Sequence, residues 1–257
     1  VGDRVMGSFF PDWTEGEPDA WKTKAALGGS RPGVLAEEVV LDQDAWVRTP
    51  AHLNFAEAAA LPCAGVTAWN ALFESGPWRP GERVLLLGTG GVSIWALQLA
   101  HAAGLETVIT SSSDAKLERA RALGADHVVN YLTHPEWDRK VLEATRGEGV
   151  HRVVEVGGKG TLPRSVTTLR PGGTLALVGG LAGFDGAIGP MSLMIGAKRA
   201  FGVFVGSRKM LEDLARFVEA RALRPVVDTT FDFDDARAAY AHLESGRHFG
   251  KVAVAVG

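Results

Sequence analysis

A short apolar segment that ends in a glycine-rich turn constrains the fold more than any other feature of this sequence. Residues 84–87 read Val-Leu-Leu-Leu, residues 88–93 read Gly-Thr-Gly-Gly-Val-Ser, and a helix-like segment follows up to residue 103. This order brings backbone N–H groups to the start of a helix, where an anionic diphosphate can bind. Ser93 replaces the third glycine of a G-x-G-x-x-G motif, but its side chain is small enough for helix and strand to pack closely. The pattern predicts a dinucleotide-binding unit and therefore an oxidoreductase.

Strand-like and helix-like segments alternate after residue 81. Strands are expected at 83–87, 106–111, 126–130, 151–156 and 173–178, with helices at 91–103, 114–123, 136–146 and 161–169. Several strands are continuous apolar runs, which is typical of parallel strands covered by helices on both faces. A sixth strand is expected at the sheet edge, at 200–205. The alternation predicts an α/β fold with a doubly wound parallel sheet. The alternative is a glycine-rich turn in such a fold that binds a different ligand or none.

The segments on both sides of this sheet are rich in strands and turns. Before it, we expect strands at 5–10, 34–41 and 45–48, a helix at 54–60 that ends at Pro62, and a second helix at 64–75. After it, we expect a helix at 208–221, an extended segment at 226–233, an aspartate-capped helix at 234–245 and a strand at 251–256. The pattern indicates two domains, with the nucleotide domain inserted between two parts of the other.

The end of the second strand of the sheet indicates which cofactor is preferred. Residues 110–116 read Thr-Ser-Ser-Ser-Asp-Ala-Lys, so serines stand where NAD-binding units carry an acidic residue for the ribose hydroxyls. Serine hydroxyls can bond to a 2′-phosphate, and Lys116 can neutralise it. The alternatives are that Ser113 or Asp114 only caps the next helix, and that Lys116 lies on a solvated helix face. The charge pattern predicts a preference for NADP(H) over NAD(H).

Composition excludes several classes of protein. The 257 residues carry a formal net charge of −3 with no basic block, so a nucleic-acid partner is not expected. No apolar stretch approaches membrane-spanning length, so no membrane partner is expected either. Cys63 is the only cysteine, which excludes an intrachain disulfide. A reducing, cytoplasmic compartment is the resulting expectation.

Cys63 is also the one candidate thiolate ligand for zinc. Catalytic zinc needs three protein ligands, and the sequence has no C-x-x-C pair and no two histidines four residues apart. We therefore expect Cys63 to be a buried thiol that packs like a small hydrophobe. No metal site is expected.

These features together resemble the medium-chain dehydrogenase/reductase superfamily, and most closely its quinone oxidoreductase-like and zinc-poor alcohol dehydrogenase-like members. The segments that carry the resemblance occur in family order and cover nearly the whole chain. They are residues 1–5, 61–72, 79–84, 88–93, 110–116, 123–131, 154–158, 169–180 and 248–254.

The resemblance implies a Rossmann dinucleotide-binding domain at 66–205, inserted in a partial β-rich GroES-like catalytic domain at 1–65 and 206–257. It implies that the pyrophosphate is held by Gly88, Thr89, Gly90, Gly91 and Val92, and that the 2′-phosphate is surrounded by Ser112, Lys116 and Tyr131. It implies that Thr67 lies near the nicotinamide, that Lys251 lies near the cofactor cleft, and that the nicotinamide pocket is lined by Gly179, Gly180, Val205 and Gly206. It also implies a homodimer formed through the edge strand at 200–205.

The activity that the resemblance implies is NADPH-dependent hydride transfer to or from a small carbonyl, quinone or alcohol. No catalytic residue is identified, and Thr67 is the nearest hydrogen-bond donor for the substrate oxygen. Three alternatives stay open: a zinc-dependent alcohol dehydrogenase with Cys63 as one ligand, an enoyl reductase, and a non-catalytic NADPH-binding protein.

Two departures from the family pattern carry expectations of their own. Residues 11–33 lack the four-cysteine cluster of zinc-bearing members, so no structural zinc is expected. The family's first strands would precede Val1, so we expect an N-terminally truncated chain whose remaining zinc ligands would lie upstream. If the chain is complete as given, impaired turnover with retained nucleotide binding is expected.

Overall fold

The structure is a computed structural model that describes residues 1–183 and 185–257. Within them the chain forms two compact units. Unit 1 comprises Val1–Thr67 and Val205–Gly257, and unit 2 comprises Ala68–Phe204. No helix of the described part is both long and apolar enough to cross a membrane. The assignment of unit 1 to a GroES-like domain stays a prediction.

The amino-terminal part of unit 1 holds less strand than its sequence predicts. Strand β1 (Val5–Gly7) pairs antiparallel with β2 (Trp46–Arg48), with Met6 opposite Val47. The strand expected at 34–41 is wrong, because these residues form an irregular segment in which Val34 and Val40 are exposed. An apolar run predicts a strand only where a neighbouring strand and a core cover it.

A long helical stretch begins after a capped turn. Asn54 and Glu57 form a capping box at the start of α1 (Phe55–Ala58), with both reciprocal bonds at 2.8 Å. Helix α1 ends before Pro62, as expected, but the second helical stretch begins at Leu61 rather than at Ala64: a π-helical segment, Leu61–Gly65, continues directly into α2 (Val66–Trp69) and a second π-helical segment, Asn70–Glu74. Pro62 is tolerated because it lies in the first turn, where its missing N–H removes no intrahelical bond.

Unit 2 alternates strands with helices. Its elements are β3 (Arg83–Leu86), α3 (Gly91–Ala102), β4 (Glu106–Ser111), α4 (Asp114–Ala122), β5 (His127–Asn130), α5 (Trp137–Ala144), β6 (Val150–Glu155), α6 (Leu162–Thr168), β7 (Leu169–Leu177), α7 (Pro190–Met194) and β8 (Arg199–Gly202). The strands form one parallel sheet in the order β5-β4-β3-β6-β7-β8. This is the Rossmann order, whose direction reverses between β3 and β6, and it confirms the predicted fold class.

The core of unit 2 lies on both faces of this sheet. Leu85, Val108 and Val153, from three neighbouring strands, are fully buried in one apolar cluster with the α5 residue Val141. Each such side chain contributes about 1.5–3 kcal/mol by leaving water. This burial on both faces explains the continuous apolar runs in the strand sequences. It also holds the strand ends, and the loops that follow them, in fixed positions.

The carboxyl-terminal part of unit 1 contains α8 (Arg208–Ala220), β9 (Val227–Asp232), α9 (Ala236–Glu244) and β10 (Lys251–Ala255). Strands β9 and β10 pair in parallel. The predicted aspartate cap of the second helix is wrong, because Phe233–Asp235 forms a 3-10 turn that leads into α9. Asp235 consequently precedes α9 without a capping side-chain bond. Ser207, in contrast, caps α8 by accepting from the Met210 N–H.

Candidate functional site

The turn between β3 and α3 has the open geometry that a bound phosphate group requires. Gly88 has a φ of +73°, in the left-handed region that favours glycine. A Cβ atom added at Gly88 or Gly90 would meet no heavy atom within 4 Å, so the space over the turn is open. Gly90 is the N-cap of α3 and offers no capping side chain. The N–H groups at the start of α3 therefore face the approach to the turn.

Two hydroxyl groups hold this turn in place. Ser93, the departure from the third glycine, is buried and donates its hydroxyl proton to the Leu87 carbonyl oxygen at 2.6 Å. This bond links the first turn of α3 to the residue that follows β3. The Gly88 N–H donates to Thr110 Oγ1 at 3.2 Å, which ties the turn to β4. Because the Gly88 N–H is used in this way, it is not available to a phosphate, and the predicted pyrophosphate site is reduced to the N–H groups of Thr89 to Val92.

The serine-rich segment after β4 combines structural and exposed hydroxyls. Ser113 caps α4 by accepting from the Lys116 N–H at 3.4 Å, and Ser111 Oγ accepts from the Ser113 N–H at 3.3 Å. Ser112 lies between them and is exposed. The predicted capping role therefore belongs to Ser113, while Ser112 is left as the exposed hydroxyl of the segment.

Strand β5 brings Tyr131 to the same loop cluster. The Tyr131 N–H donates to the Ser111 carbonyl oxygen at 3.0 Å, so the two strand ends lie side by side. Asn130 Nδ2 donates to Asp114 Oδ1 at 2.7 Å. The Asp114 carboxylate is thus held by a neutral amide, and it is the one acidic side chain among residues 110–116.

The buried carboxylate of Glu155 holds the loop after β6 in place through four hydrogen bonds. Glu155 is fully buried, and its Oε1 accepts from the Gly157 and Gly158 N–H groups at 2.8 and 3.0 Å. The hydroxyls of Thr161 and Ser165 also donate to this carboxylate. Glu155 is not among the site residues predicted from the sequence, although a glutamate at the end of an apolar strand, shortly before two glycines, is a signal for it.

The backbone of Glu155 is hydrogen-bonded to the loop after β7, which contains Gly179 and Gly180. The Glu155 carbonyl oxygen accepts from the Val178 and Gly179 N–H groups at 2.8 and 3.2 Å. A Cβ atom on Gly158 would lie 2.7 Å from the Gly180 Cα atom, so the loops after β6 and β7 meet at a contact that only glycine permits. These loops follow the strands next to the point where the sheet order reverses, which is where doubly wound folds bind ligands.

The other predicted site residues lie in unit 1. Thr67 is buried and donates its hydroxyl proton to the Cys63 carbonyl oxygen at 2.6 Å, so this proton is already used within the helical stretch. Val205 has a φ of +54°, which is an outlier for a β-branched residue and costs about 1–3 kcal/mol. At Gly206 a Cβ atom would lie 2.8 Å from Val66 Cγ2, so the close packing requires glycine.

Cys63 is exposed, so the predicted buried thiol is wrong. Leu61, Ala64 and Gly65 occupy the buried face of the helical stretch, which leaves Cys63 on the other side. Desolvation by the surrounding protein nevertheless raises the pKa of the Cys63 thiol, and the Lys251 ammonium group opposes this rise. The raised pKa favours the thiol over the thiolate, which is the form that binds a metal.

Comparison with known proteins identifies the family. Residues 91–220 match the family described as zinc-binding dehydrogenase. The zinc-type alcohol dehydrogenase-like protein C1773.06c of Schizosaccharomyces pombe is 44% identical, over 99% of this chain and 75% of that protein. The chain belongs to the zinc-binding dehydrogenase family. This confirms the resemblance to medium-chain dehydrogenases/reductases and makes the protein an oxidoreductase.

Solved structures of similar proteins extend this result to the fold and the cofactor. An NAD-dependent alcohol dehydrogenase has a TM-score of 0.88 and 33% identity, covering 100% of this chain and 76% of that one. The 2-octenoyl-CoA carboxylase reductase CinF in complex with NADP and 2-octenoyl-CoA has a TM-score of 0.82 and 28% identity, covering 89% of this chain and 56% of that one. A nicotinamide cofactor is therefore supported for this member of the zinc-binding dehydrogenase family. Of the two solved structures, one is described as NAD-dependent and the other contains NADP.

The family name implies zinc, but the donor set described above does not fit a zinc ion. Across residues 1–183 and 185–257, no group of three His, Cys, Asp or Glu side chains could hold a metal ion. Cys63, the candidate thiolate ligand, belongs to no such group.

Proposed function

We propose that the protein transfers a hydride between NADPH and a small carbonyl, quinone or alcohol. The observation that carries the proposal is the pair of loops at the carboxyl ends of β3 and β4. In the loop after β3, the open glycine turn leaves the backbone N–H groups at the start of α3 accessible. In the loop after β4, the exposed Ser112 comes just before the first turn of α4, which contains Lys116. When bound, the cofactor supplies the hydride chemistry, and the protein positions and shields it.

The preference for NADPH rests on charge at the end of β4. A carboxylate directed at the ribose would repel a 2′-phosphate, and in this loop the Asp114 carboxylate is instead bonded to the Asn130 amide. Ser112, Lys116 and Tyr131 then form the proposed 2′-phosphate site. A hydroxyl, an ammonium group and a phenol can all donate to phosphate oxygens.

The nicotinamide end of the proposed site is formed by small or constrained residues. In unit 2, Gly179 follows β7 and donates to the Glu155 carbonyl oxygen, and Gly180 packs closely against Gly158. In unit 1, the strained Val205 precedes the tightly packed Gly206. Strained residues cluster at functional sites, which supports this assignment. Lys251, whose charge acts on Cys63, is proposed to lie near the same end of the cofactor.

Thr67 is proposed to contact the nicotinamide as a hydrogen-bond acceptor. Its hydroxyl group donates its proton to the Cys63 carbonyl oxygen at 2.6 Å, so this hydroxyl can only accept a hydrogen bond from a ligand. The sequence-based role of Thr67 as donor to the substrate oxygen is therefore replaced. Polarisation of that oxygen is assigned to backbone N–H groups or to water.

The proposed partner is a second copy of the chain. Strand β8 lies at the edge of the sheet, and Arg199, Ala200 and Gly202 are exposed along it. An exposed strand edge is a template for pairing with another strand. Phe204, which is 56% exposed, would add apolar contact to a dimer formed through residues 200–205. Sedimentation at micromolar concentration is expected to give twice the chain mass of 27.2 kDa. The cytoplasmic location stays a prediction.

The second candidate function is reduction of a carbon–carbon double bond next to a carbonyl. The similarity to a reductase that binds NADP and 2-octenoyl-CoA favours it. The proposed cofactor site serves both reactions, because NADPH supplies the hydride in either case.

Oxidation of NADPH, followed by absorbance, tests the proposal. The chain is assayed with matched panels of small aldehydes and ketones, quinones, and enones or enoyl thioesters. Turnover with the first two panels supports the proposal, and turnover with the third alone selects the enoyl reductase. Tight NADPH binding with no turnover on any panel would favour a non-catalytic NADPH-binding protein.

A further inference from the structure

A cavity rich in arginine lies at the amino end of the sheet in unit 2, opposite the glycine turn. It measures about 250 Å³. The charged and titratable side chains that line it are Arg79, Glu82, His151, Arg152, Arg170 and Arg199. We call it the arginine cavity. From Glu82 to Gly88 the chain runs along β3 for roughly 20 Å, so the cavity is separate from the proposed cofactor site.

The strand starts of the sheet build this cavity. The pairing of β6 with β7 shifts register between Val150 and Arg152, where β7 bulges through the Arg170–Gly173 turn. Gly172 has a φ of +74°, which allows the tight reversal. Arg199 is the first residue of β8 and donates to the Gly172 carbonyl oxygen at 3.1 Å. The turn and the strand start therefore bring Arg170 and Arg199 to the same opening.

The positive charge of the cavity is only partly compensated. Four guanidinium groups line it, against the single carboxylate of Glu82. Arg152 is buried, with only 6% exposure, and it bonds to three backbone carbonyl oxygens, of Leu72, Gly76 and Pro77, rather than to a carboxylate. Among the described residues its Nε–H has no acceptor. Burial lowers the pKa of Arg152, the negative charge of Glu82 raises it, and the positive charge of Arg199 lowers it. A buried cation that is hydrogen-bonded only to neutral carbonyl groups, with one carboxylate among four guanidinium groups nearby, attracts an anion from solvent.

His151 adds an observation that points to an anionic ligand by itself. Its Nδ1 accepts from the Arg83 N–H at 3.0 Å, so the neutral ring carries its proton on Nε2. That Nε2 lies 2.7 Å from Arg170 Nη1, which is also a donor. In this tautomer two N–H groups face each other 2.7 Å apart with no acceptor between them. Separation of the two side chains would let one oxygen accept from both N–H groups.

We propose that the arginine cavity binds a phosphate-type oxyanion, either inorganic phosphate or the phosphoryl group of a small ester. Arg170 and Arg199 at the opening contact its oxygens, and His151 Nε2–H supplies a neutral donor. Guanidinium groups match phosphate oxygens in pairs, which gives such a site selectivity over chloride. The volume suits a phosphoryl group with a short organic substituent and excludes a dinucleotide.

Titration with inorganic phosphate, followed by the ring signals of His151 in NMR spectra, tests this proposal. The signals are assigned by their loss in His151→Gln. Saturable movement of these signals is expected at constant ionic strength, with sodium chloride as the control salt. Burial holds the pKa of His151 low; the negative charge of Glu82 opposes this shift, and the positive charges of Arg170, Arg83 and Arg152 add to it. Bound phosphate, a second negative charge, is expected to raise the pKa.

Variants locate the binding. Arg170→Gln with Arg199→Gln is expected to weaken phosphate affinity by about tenfold or more, because two charge-assisted contacts are lost. Arg199→Gln alone, at an exposed position, is expected to give an intermediate loss and serves if the double variant does not fold. Arg121→Gln, an exposed arginine of α4, is the matched control and is expected to leave the affinity unchanged.

Two further arms separate the outcomes. Glycerol 3-phosphate that binds more tightly than inorganic phosphate identifies an ester as the ligand, and the reverse order identifies free phosphate. Unmoved His151 signals at saturating phosphate would overturn the proposal. Loss of phosphate binding in Lys116→Gln, with retention in the arginine double variant, would also overturn it by placing the anion at the cofactor site.

Discussion

The two ends of the parallel sheet in unit 2 are built by different means. At the carboxyl end, the loops after β3, β6 and β7 are rich in glycine, and a ligand would meet backbone N–H groups at the start of α3. At the amino end, four arginine side chains from separate segments surround one cavity. The arrangement at the carboxyl end is set by backbone conformation and strand order. The arrangement at the amino end depends on arginine side chains that are far apart in the sequence. The predictions below separate the two ends by their response to substitution.

Glu155→Ala is expected to have the largest effect. It leaves two backbone N–H groups and two hydroxyls without their acceptor, and it frees the loop after β6 from the start of α6. The free energy of unfolding is expected to fall by about 3–5 kcal/mol. Urea denaturation measures this loss. Glu143→Ala, at an exposed pair with Lys140, is the control and should leave the midpoint unchanged.

Lys116→Glu tests the proposed 2′-phosphate site at the carboxyl end. A carboxylate there would repel the phosphate, so NADPH affinity is expected to fall by about tenfold to a hundredfold while NADH affinity stays the same. Fluorescence titration measures both affinities. The matched variant Lys140→Glu, on α5, should change neither. An equal loss for both cofactors would mean that Lys116 does not read the 2′-phosphate.

Gly88→Ala separates the role of the glycine turn in folding from its role in binding. A left-handed φ costs an alanine about 1–2 kcal/mol, and the added methyl group enters the space where a phosphate would approach. Both stability and cofactor affinity are expected to fall. Gly147→Ala is the control, since Gly147 has a φ of +81° and equally open surroundings. The control should lose similar stability and no cofactor affinity, as thermal melts and titrations would show.

His151 gives the smallest effect, a pH dependence at the amino end. Its pKa is lowered in the folded chain by burial and by its cationic neighbours, so the unfolded chain binds the proton more readily. Stability is therefore retained above the ordinary histidine pKa and falls as the pH drops below it, by less than about 1.4 kcal/mol per pH unit. Thermal midpoints measured in chloride should show a weaker acid-side loss in His151→Gln. An identical pH dependence in both proteins would show that His151 is not coupled to folding.

The sequence was informative where backbone geometry decides the structure. The glycine turn at residues 88–93 and the alternating apolar strands predicted the Rossmann sheet, because such patterns have few other stable arrangements. Capping at Asn54 followed from the same local chemistry. These features depend on residues that are near one another in the chain.

Features that depend on distant segments escaped prediction. Residues 34–41 read as a strand, yet they lie exposed because nothing pairs with them. Cys63 was expected to be buried, but its neighbours Leu61 and Ala64 take the inner face of the helical stretch. The contacts of Glu155 and the arginine cavity arise only when separate strand ends meet. No pattern of neighbouring residues in the sequence predicts the Glu155 contacts or the arginine cavity.

The central claim is that the loops at the carboxyl end of the sheet bind a nicotinamide cofactor and select the phosphorylated form. Parallel titrations of the unmodified chain with NADPH and NADH, at equal ionic strength and followed by cofactor fluorescence, test it most directly. NADPH is expected to bind at least about tenfold more tightly than NADH, which corresponds to about 1.4 kcal/mol. Equal affinities, or tighter binding of NADH, would contradict it.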